Sequence, residues 1–343
     1  MKKCSFILIT LVLLFCISSC TKNRFAIDVK DNFENVKFAR FDKDLLQIDS
    51  FNIENQKAEL QEVYGEFFDD YVSRVMLLGN VQDVDFNDYL LGLLADSMFL
   101  EINKEVDVVF ENMTAIEEEV AVAFAYARHY FPEVETPRLA THVSGFNQSF
   151  ILSKNNILSV SLDNYLGSDY APYSQIAYEY MLSGMTKDNV APDLVFAFLS
   201  TSFDVTPKDI DKRGHAWTLL EKMLSTGKLL YLQSIFMPNR TEAEILGFTA
   251  EEWKWCEENE KQMWQYLMEN KHLYNTSSLL QSKYVNPGPC TSYFGPESTA
   301  QAVLWIGFQI IKSYMESDTN LSLQDLMNES DYQYILSKSN YKP

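Results

Sequence analysis

The chain has 343 residues, 14% of them aromatic, and carries a formal net charge of −20 at pH 7. The aromatic content supports large packed cores and excludes disorder over most of the chain, and the length suits one large domain. A surface this acidic is repelled by nucleic acid and by anionic lipid headgroups, so we expect no nucleic-acid partner.

The N-terminal residues have the pattern of a bacterial lipoprotein signal. Two lysines near the start are followed by an apolar run over 6–17, which is too short to span a membrane, and two serines stand directly before Cys20. Cys16 is a poorer lipidation site because the bulky Leu14 and Phe15 precede it. The alternatives are an ordinary secretory signal and a retained anchor helix.

This pattern predicts three segments: a signal peptide over 1–19, a lipid-anchored tether over 20–35 and a globular domain over 36–343. Acylation of the Cys20 thiol, for example with palmitate, would attach the mature chain to a membrane, since two or more acyl chains form a stable anchor. We expect no second membrane segment, because the most apolar later stretch, 303–311, is far shorter than a spanning helix.

The first part of the domain has mainly helical periodicity. Alternating apolar residues over 36–41 predict a strand, and apolar residues at three- and four-residue spacing over 60–75 predict one long helix. Further helices are expected over 85–100 and 113–131, and Pro132 ends the second of them.

The segment that follows changes from helical to strand-like character. The residues at 139–143 and 157–162 are typical of two strands of a hairpin around a turn at 153–156. We therefore expect a small antiparallel sheet within a predominantly helical α+β domain.

The rest of the chain returns to helices. Thr241 with Glu244, and Thr249 with Glu252, have the spacing of capping boxes at helix starts. The second of these helices is expected to turn five side chains inward: Trp253, Cys256, Met263, Trp264 and Leu267. A nearly all-apolar helix over 299–315 is expected at the centre of the core.

The sequence contains no strong metal-binding motif. None of the four histidines has a histidine four residues later, so the zinc pattern His-Glu-x-x-His is absent; they are His129, His142, His215 and His272. A zinc site formed by the distant His142 and His215 with a carboxylate is the alternative. Asp209 begins a calcium-like loop, but Arg213 and Leu220 stand where oxygen ligands are required.

Motifs of catalysis and phosphate binding are also absent from the sequence. The chain has no Gly-x-Ser-x-Gly elbow, and Gly227-Lys228 lacks the other residues of a phosphate loop. We therefore predict no catalytic residue, no metal site and no cofactor. Cys256 and Cys290 could pair, but two buried free thiols are favoured. Three tryptophans are assigned to core packing rather than to a carbohydrate platform: Trp253, Trp255 and Trp264.

Six short stretches together resemble the gliding-motility lipoprotein GldB family of Bacteroidota. In chain order they are Arg40-Phe-Asp42, Leu162-Asp-Asn-Tyr-Leu-Gly167, Gly227-Lys-Leu-Leu-Tyr231, Gly247-Phe-Thr-Ala-Glu-Glu-Trp253, Trp305-Ile-Gly-Phe-Gln-Ile-Ile-Lys-Ser-Tyr-Met315 and Tyr341-Lys-Pro343. Their order and their spread over the whole predicted domain make the resemblance specific.

The resemblance implies a lipoprotein on the periplasmic side of the envelope, anchored in the outer membrane through Cys20. It implies a non-catalytic role in gliding motility, or in related envelope assembly or secretion, through partners among the envelope, motility or secretion proteins. The alternatives are a metal-dependent or cell-wall hydrolase with an unrecognised site, and a periplasmic glycan- or solute-binding lipoprotein.

The order of the predicted elements is also similar to that of zincin-type peptidases. On this comparison the helix over 193–203 occupies the zinc-binding position, but it contains no imidazole, and Ser200 and Thr201 are poor zinc ligands. The similarity therefore implies a degenerate, zincin-like scaffold that has lost its metal.

Overall fold

The structure is a computed structural model that describes residues 24–343. The predicted signal peptide over 1–19 and the predicted lipidation site Cys20 lie outside the described residues. The described part of the chain is 57% helical, and its four strands form one small sheet. The predicted fold class, a predominantly helical α+β domain, is confirmed.

The described part of the chain contains fifteen α-helices and four strands. In chain order the helices are α1 Phe41–Leu45, α2 Ile53–Tyr64, α3 Glu66–Asp70, α4 Phe86–Leu94, α5 Ser97–Val109, α6 Thr114–Tyr130, α7 Tyr173–Ile176, α8 Val190–Ser202, α9 Leu219–Phe236, α10 Glu242–Ile245, α11 Ala250–Glu269, α12 Ser278–Val285, α13 Ala302–Ser317, α14 Leu323–Asn328 and α15 Tyr332–Ser339. The strands are β1 Phe38–Arg40, β2 Arg138–His142, β3 Phe150–Leu152 and β4 Ile157–Ser161.

The sheet has the strand order β1-β2-β4-β3 and is mixed rather than antiparallel. Strand β2 lies parallel to both β1 and β4, and only β3 and β4 are antiparallel. The predicted hairpin between 139–143 and 157–162 is therefore wrong, and the turn at 153–156 joins β3 to β4 instead. All five residues of β4 are buried, because this strand has a neighbour on each side and is covered on both faces.

Two of the predicted helices are interrupted. The helix over 60–75 breaks at Gly65, which has a φ of +54° and where a Cβ would lie 2.8 Å from Asn155 Nδ2. The helix over 85–100 is replaced by α4 and α5, because the Asp96 side chain caps the start of α5. Local apolar spacing therefore located the helical segments but missed the breaks inside them.

Several other predicted elements are present. The strand over 36–41 corresponds to β1, and the helices over 113–131 and 299–315 correspond to α6 and α13. Both predicted capping boxes are formed, at the starts of α10 and α11. Of the five side chains expected to point inward from α11, three are buried (Cys256, Met263 and Leu267) and two are half-buried (Trp253 and Trp264).

Helices α9 and α13 cross at the centre of the helical body. The buried face of α13 contains five large side chains, each at most 2% exposed: Trp305, Ile306, Phe308, Ile310 and Ile311. Helices α6 and α8 pack on the other side of α9, with the rings of Phe124 and Phe198 5.0 Å apart. This packing fixes the positions of α8, α9 and α13, which together border the site described below.

The N-terminal end of the described chain is docked on the domain. Arg24 Nη2 donates a hydrogen bond to Met315 O at 2.9 Å, and Tyr130 Oη donates to Phe25 O at 2.9 Å. Residues 24–35, predicted as part of a tether, therefore lie against the domain rather than apart from it. None of the described helices is both long enough and apolar enough to cross a membrane.

Candidate functional site

A cleft with a volume of about 260 Å³ lies between helices α8, α9 and α10 and the first turn of α13. Seven of its lining residues are apolar: Pro192, Phe196, Leu230, Ile245, Leu246, Phe248 and Leu304. Six are polar: Asn189, Asp193, Thr226, Gln233, Glu244 and Gln301. Apolar walls with a few polar groups are typical of ligand-binding sites.

The short helix α10 forms one wall of this cleft, because hydrogen bonds fix both of its ends. Thr241 Oγ1 accepts a hydrogen bond from Glu244 N, and the Glu244 carboxylate accepts one from Thr241 N. At the other end Gly247 has a φ of +69°, and Phe248 N donates to Ala243 O at 2.8 Å. This reversal places Phe248 in the lining of the cleft.

Asp193, in the first turn of α8, supplies a carboxylate to the cleft. Tyr165 Oη donates a hydrogen bond to Asp193 Oδ2 at 2.9 Å. Part of the Asp193 side chain is exposed, but desolvation of its carboxyl by the surrounding protein raises the pKa to about 6, and the hydrogen bond from the Tyr165 hydroxyl offsets only part of this rise. A raised pKa in a cleft is a feature of many binding and catalytic sites.

Gln233, on α9, adds an amide to the same cleft. Its Nε2 donates a hydrogen bond to Pro192 O at 2.9 Å, which fixes the orientation of the amide. The other amide atom, Oε1, is buried and has no hydrogen-bond partner among the described residues. A buried acceptor without a partner costs about 1–3 kcal/mol, so a ligand donor that reached this oxygen would recover part of that cost.

A second polar cluster lies at the carboxyl ends of β2 and β4 but is closed to solvent. Asp163 accepts hydrogen bonds from Ser144 N at 3.2 Å, from Phe146 N at 2.7 Å and from the Ser161 hydroxyl. Burial raises the pKa of Asp163, and these three donors oppose the rise. Because Ser144, Ser161 and Asp163 are all buried, the cluster holds the loop after β2 in place.

The histidines considered for a zinc site lie in different environments. His142 is fully buried, its Nδ1 is 2.8 Å from Ser159 Oγ, and burial lowers its pKa to about 3. His215 is exposed, and His272 Nδ1 is 2.6 Å from Tyr284 Oη. Within residues 24–343, no three His, Cys, Asp or Glu side chains are grouped so that they could hold a metal ion.

The helix expected at the zincin position over 193–203 is present as α8. Ser200 Oγ donates a hydrogen bond to Phe196 O at 2.7 Å, and Thr201 Oγ1 donates to Ala197 O at 3.0 Å. Both hydroxyls are therefore bonded within their own helix.

The cysteines and tryptophans have structural environments. Cys256 is a buried free thiol, and Cys290 is a half-buried one. Trp253 packs edge-on against Trp305, with ring centroids 5.8 Å apart, and Trp264 also packs against an aromatic ring. These contacts agree with the assignment of the tryptophans to packing.

Two of the six stretches that carry the family resemblance supply residues that line the cleft, and two more lie next to it. The second supplies Tyr165, the third supplies Leu230, the fourth supplies Gly247 and Phe248, and the fifth directly follows Leu304. Sequence reasoning did not identify Asp193 or Gln233 as site residues, because their partners are 28 and 41 residues away in the chain. The one feature of the sequence that could have pointed to this cleft was the family-like stretch over 162–167, which contains Tyr165.

Comparison with known proteins identifies one family. The family described as gliding motility protein GldB matches this chain over residues 22–343. No curated protein and no solved structure matches it. Because the match spans nearly the whole sequence, the resemblance is confirmed, and the chain belongs to the gliding motility protein GldB family of lipoproteins.

Proposed function

We propose that this protein is a lipid-anchored, non-catalytic protein of the cell envelope that supports gliding motility, or related envelope assembly and secretion, by binding protein partners. Membership of the family supports the link to motility and the lipid anchor. The Ser-Ser-Cys pattern supports acylation at Cys20. We place the domain on the periplasmic side of the outer membrane.

The proposed anchor lies close in sequence to residues that are docked on the domain. Arg24 is bonded to Met315 O, and Phe25 is 7% exposed and packs edge-on against Tyr130. Arg24 is four positions after Cys20, and four residues span at most about 14 Å. An acylated Cys20 would therefore hold this end of the domain next to the membrane.

The observation that carries the proposal of a protein partner is an exposed apolar segment over 176–181. Four of its large side chains are 36–71% exposed: Ile176, Tyr178, Tyr180 and Met181. The rings of Tyr178 and Tyr180 are stacked 5.5 Å apart and border a groove of about 900 Å³. Exposed tyrosine and methionine side chains in one patch are typical of protein-binding surfaces.

Lys187, shortly after the apolar segment, and the proposed anchor are associated with opposite ends of α6. Lys187, which follows the segment, donates hydrogen bonds to Val109 O at 2.7 Å and to Asn112 O at 2.8 Å, just before α6 begins. Phe25 O accepts its hydrogen bond from Tyr130, the last residue of α6. A helix of this length spans about 25 Å. Lys187 would then lie away from the membrane, and we propose that the nearby apolar segment is open to partners there.

The environments of three residues considered above as zinc ligands support a binding role rather than catalysis. The hydroxyls of Ser200 and Thr201 are bonded within α8, and the His142 ring is buried and neutral. A general base or metal ligand must be able to reach a substrate, and the buried His142 ring is not placed to do so.

The test is purification of the full-length lipoprotein from its own cells after gentle crosslinking. The wild-type protein should recover specific envelope proteins, and the Tyr178→Ser, Met181→Ser double variant should recover them at least about fivefold less, since buried tyrosines dominate many interfaces. Phe51→Ser is the matched control, because Phe51 is 94% exposed but lies outside the segment. Equal recovery by the double variant, or hydrolysis of cell-wall polymers or casein by the purified protein, contradicts the proposal.

A further inference from the structure

We infer that the cleft between α8, α9, α10 and α13 binds a small organic cation, with an ammonium group on a compact apolar body. None of the exposed residues of the 176–181 segment lines this cleft. The inference therefore does not rest on the proposed protein partner, and either can fail without the other.

The first argument is the charge of the lining. Asp193 and Glu244 supply carboxylates, and among residues 24–343 no lysine, arginine or histidine lines the cleft. Tyr165 donates to one oxygen of Asp193, and Thr241 donates to one oxygen of Glu244. Among the described residues no group donates to the second oxygen of either carboxylate, Asp193 Oδ1 or Glu244 Oε1.

The nearby cation Arg240 is already ion-paired with a residue outside the cleft. The hydrogen bonds from Thr241 are the main cause that lowers the pKa of Glu244, and Arg240 adds a smaller effect, but the Arg240 guanidinium is paired with Glu119. The two bonds of this pair measure 2.6 Å from Nε and 2.8 Å from Nη2. Because Arg240 is committed to Glu119, the cleft keeps its negative character.

The second argument is the unpartnered amide oxygen of Gln233. This residue is 1% exposed, its Nε2 donates to Pro192 O, and its Oε1 has no partner among the described residues. The side-chain amides of Asn189 and Gln301 donate to protein oxygens. The cleft thus offers more acceptors than donors, and an ammonium group has three donors and no acceptor.

The third argument is the shape and polarity of the walls. Seven apolar residues line the cleft together with these acceptors: Pro192, Phe196, Leu230, Ile245, Leu246, Phe248 and Leu304. The volume of about 260 Å³ is slightly below the roughly 300–1,000 Å³ typical of sites for drug-sized ligands. The cleft therefore suits a compact alkyl or aryl amine rather than a polymer.

The experiment compares three probes that share one apolar body and differ in the end group: phenethylammonium, phenethyl alcohol and hydrocinnamate. Calorimetric titrations use the purified full-length lipoprotein in detergent, with detergent alone as the blank, at about pH 8, where the carboxylates are ionised. Phenethylammonium should bind at least about tenfold more tightly than either of the other probes, a difference of about 1.4 kcal/mol.

Variants show whether binding occurs in this cleft. Asp193→Asn and Glu244→Gln each remove one charge with little change of shape, and each should weaken phenethylammonium binding by about tenfold. Asp204→Asn is the control, because Asp204 is exposed and does not line the cleft. Circular dichroism and the Tm establish that each variant is folded. Three probes of equal affinity, no detectable binding of phenethylammonium, or unchanged affinity in both folded cleft variants would each overturn the inference.

Discussion

Gly227 of α9 and Gly307 of α13 face each other where the two central helices cross. A Cβ on Gly227 would lie 2.7 Å from Gly307 O, and a Cβ on Gly307 would lie 2.2 Å from Met223 O. Both distances are far shorter than a carbon–oxygen contact allows, so the two backbones touch only because neither residue has a side chain. The position of α13, and with it one wall of the cleft, depends on this pair of glycines.

Substitution of Gly307 by alanine should destabilise the protein, because the added methyl group forces α9 and α13 apart. We expect a loss of about 1–3 kcal/mol in the free energy of unfolding, the usual effect of overpacking a core. The matched control is Gly92→Ala in α4, where a Cβ would meet nothing within 4 Å. That change should stabilise by about 0.5–1 kcal/mol through helix propensity. Urea titrations of both variants measure the difference, and equal stabilities would contradict the close crossing.

A second prediction concerns Asp163, which is fully buried and accepts three hydrogen bonds. An asparagine has one acceptor oxygen, and its NH2 group replaces the oxygen that accepts either from Phe146 N or from the Ser161 hydroxyl. Asp163→Asn should therefore lower the free energy of unfolding by about 2–4 kcal/mol. Asp193→Asn is the comparison, since Asp193 is open to solvent and has a single donor. Its effect should be below about 1 kcal/mol, and equal losses in the two variants would contradict this reading of the cluster.

The third prediction is a pH dependence caused by Lys228. This lysine is 1% exposed, and burial lowers its pKa from 10.5 to about 8. Between about pH 8 and pH 10.5 the unfolded chain binds one proton more than the folded chain at this site, so the free energy of unfolding rises with pH. The slope from this residue approaches about 1.4 kcal/mol per pH unit.

Lys228→Met should remove this slope, whatever its effect on stability at neutral pH. The substitution also loses the hydrogen bond from Nζ to Glu329 O and the contact with the Tyr332 ring, so the absolute stability is a poor readout. The measurement is the difference in unfolding free energy between the two proteins over the alkaline range. A difference that does not vary with pH would show that Lys228 titrates normally.

Features that depend on neighbouring residues could be predicted from the sequence. The capping boxes that begin with Thr241 and Thr249 need only residues three positions apart, and both are formed. The core helix over 299–315 was evident from its nearly continuous apolar character. The break at Gly65 was not, because its cause is the approach of Asn155 from a distant turn.

Features that depend on distant pairing could not be predicted. A fully buried strand such as β4 has the same pattern whether its neighbour is parallel or antiparallel, so the partner of β2 had to be seen in the structure. The cleft could not be predicted for the same reason. Its polar groups, Asp193 and Gln233, gain their significance from Tyr165 and Pro192, which the chain brings to them only on folding.

The last prediction concerns the membrane anchor. We expect the mature chain to begin at an acylated Cys20, and Cys20→Ala to release or mislocalise the protein, because stable anchoring requires the acyl chains that only this thiol would carry. Cys16→Ala is the matched control: it removes the neighbouring cysteine of the apolar run and should leave processing and location unchanged. Mass spectrometry of the mature N-terminus and membrane fractionation measure both effects. An unmodified N-terminus downstream of Cys20, or loss of the anchor in Cys16→Ala alone, would contradict the assignment.

Because Arg24 is docked only four positions further on, the acylated protein should also resist proteolysis between Cys20 and the domain, whereas a long free tether would be cut there.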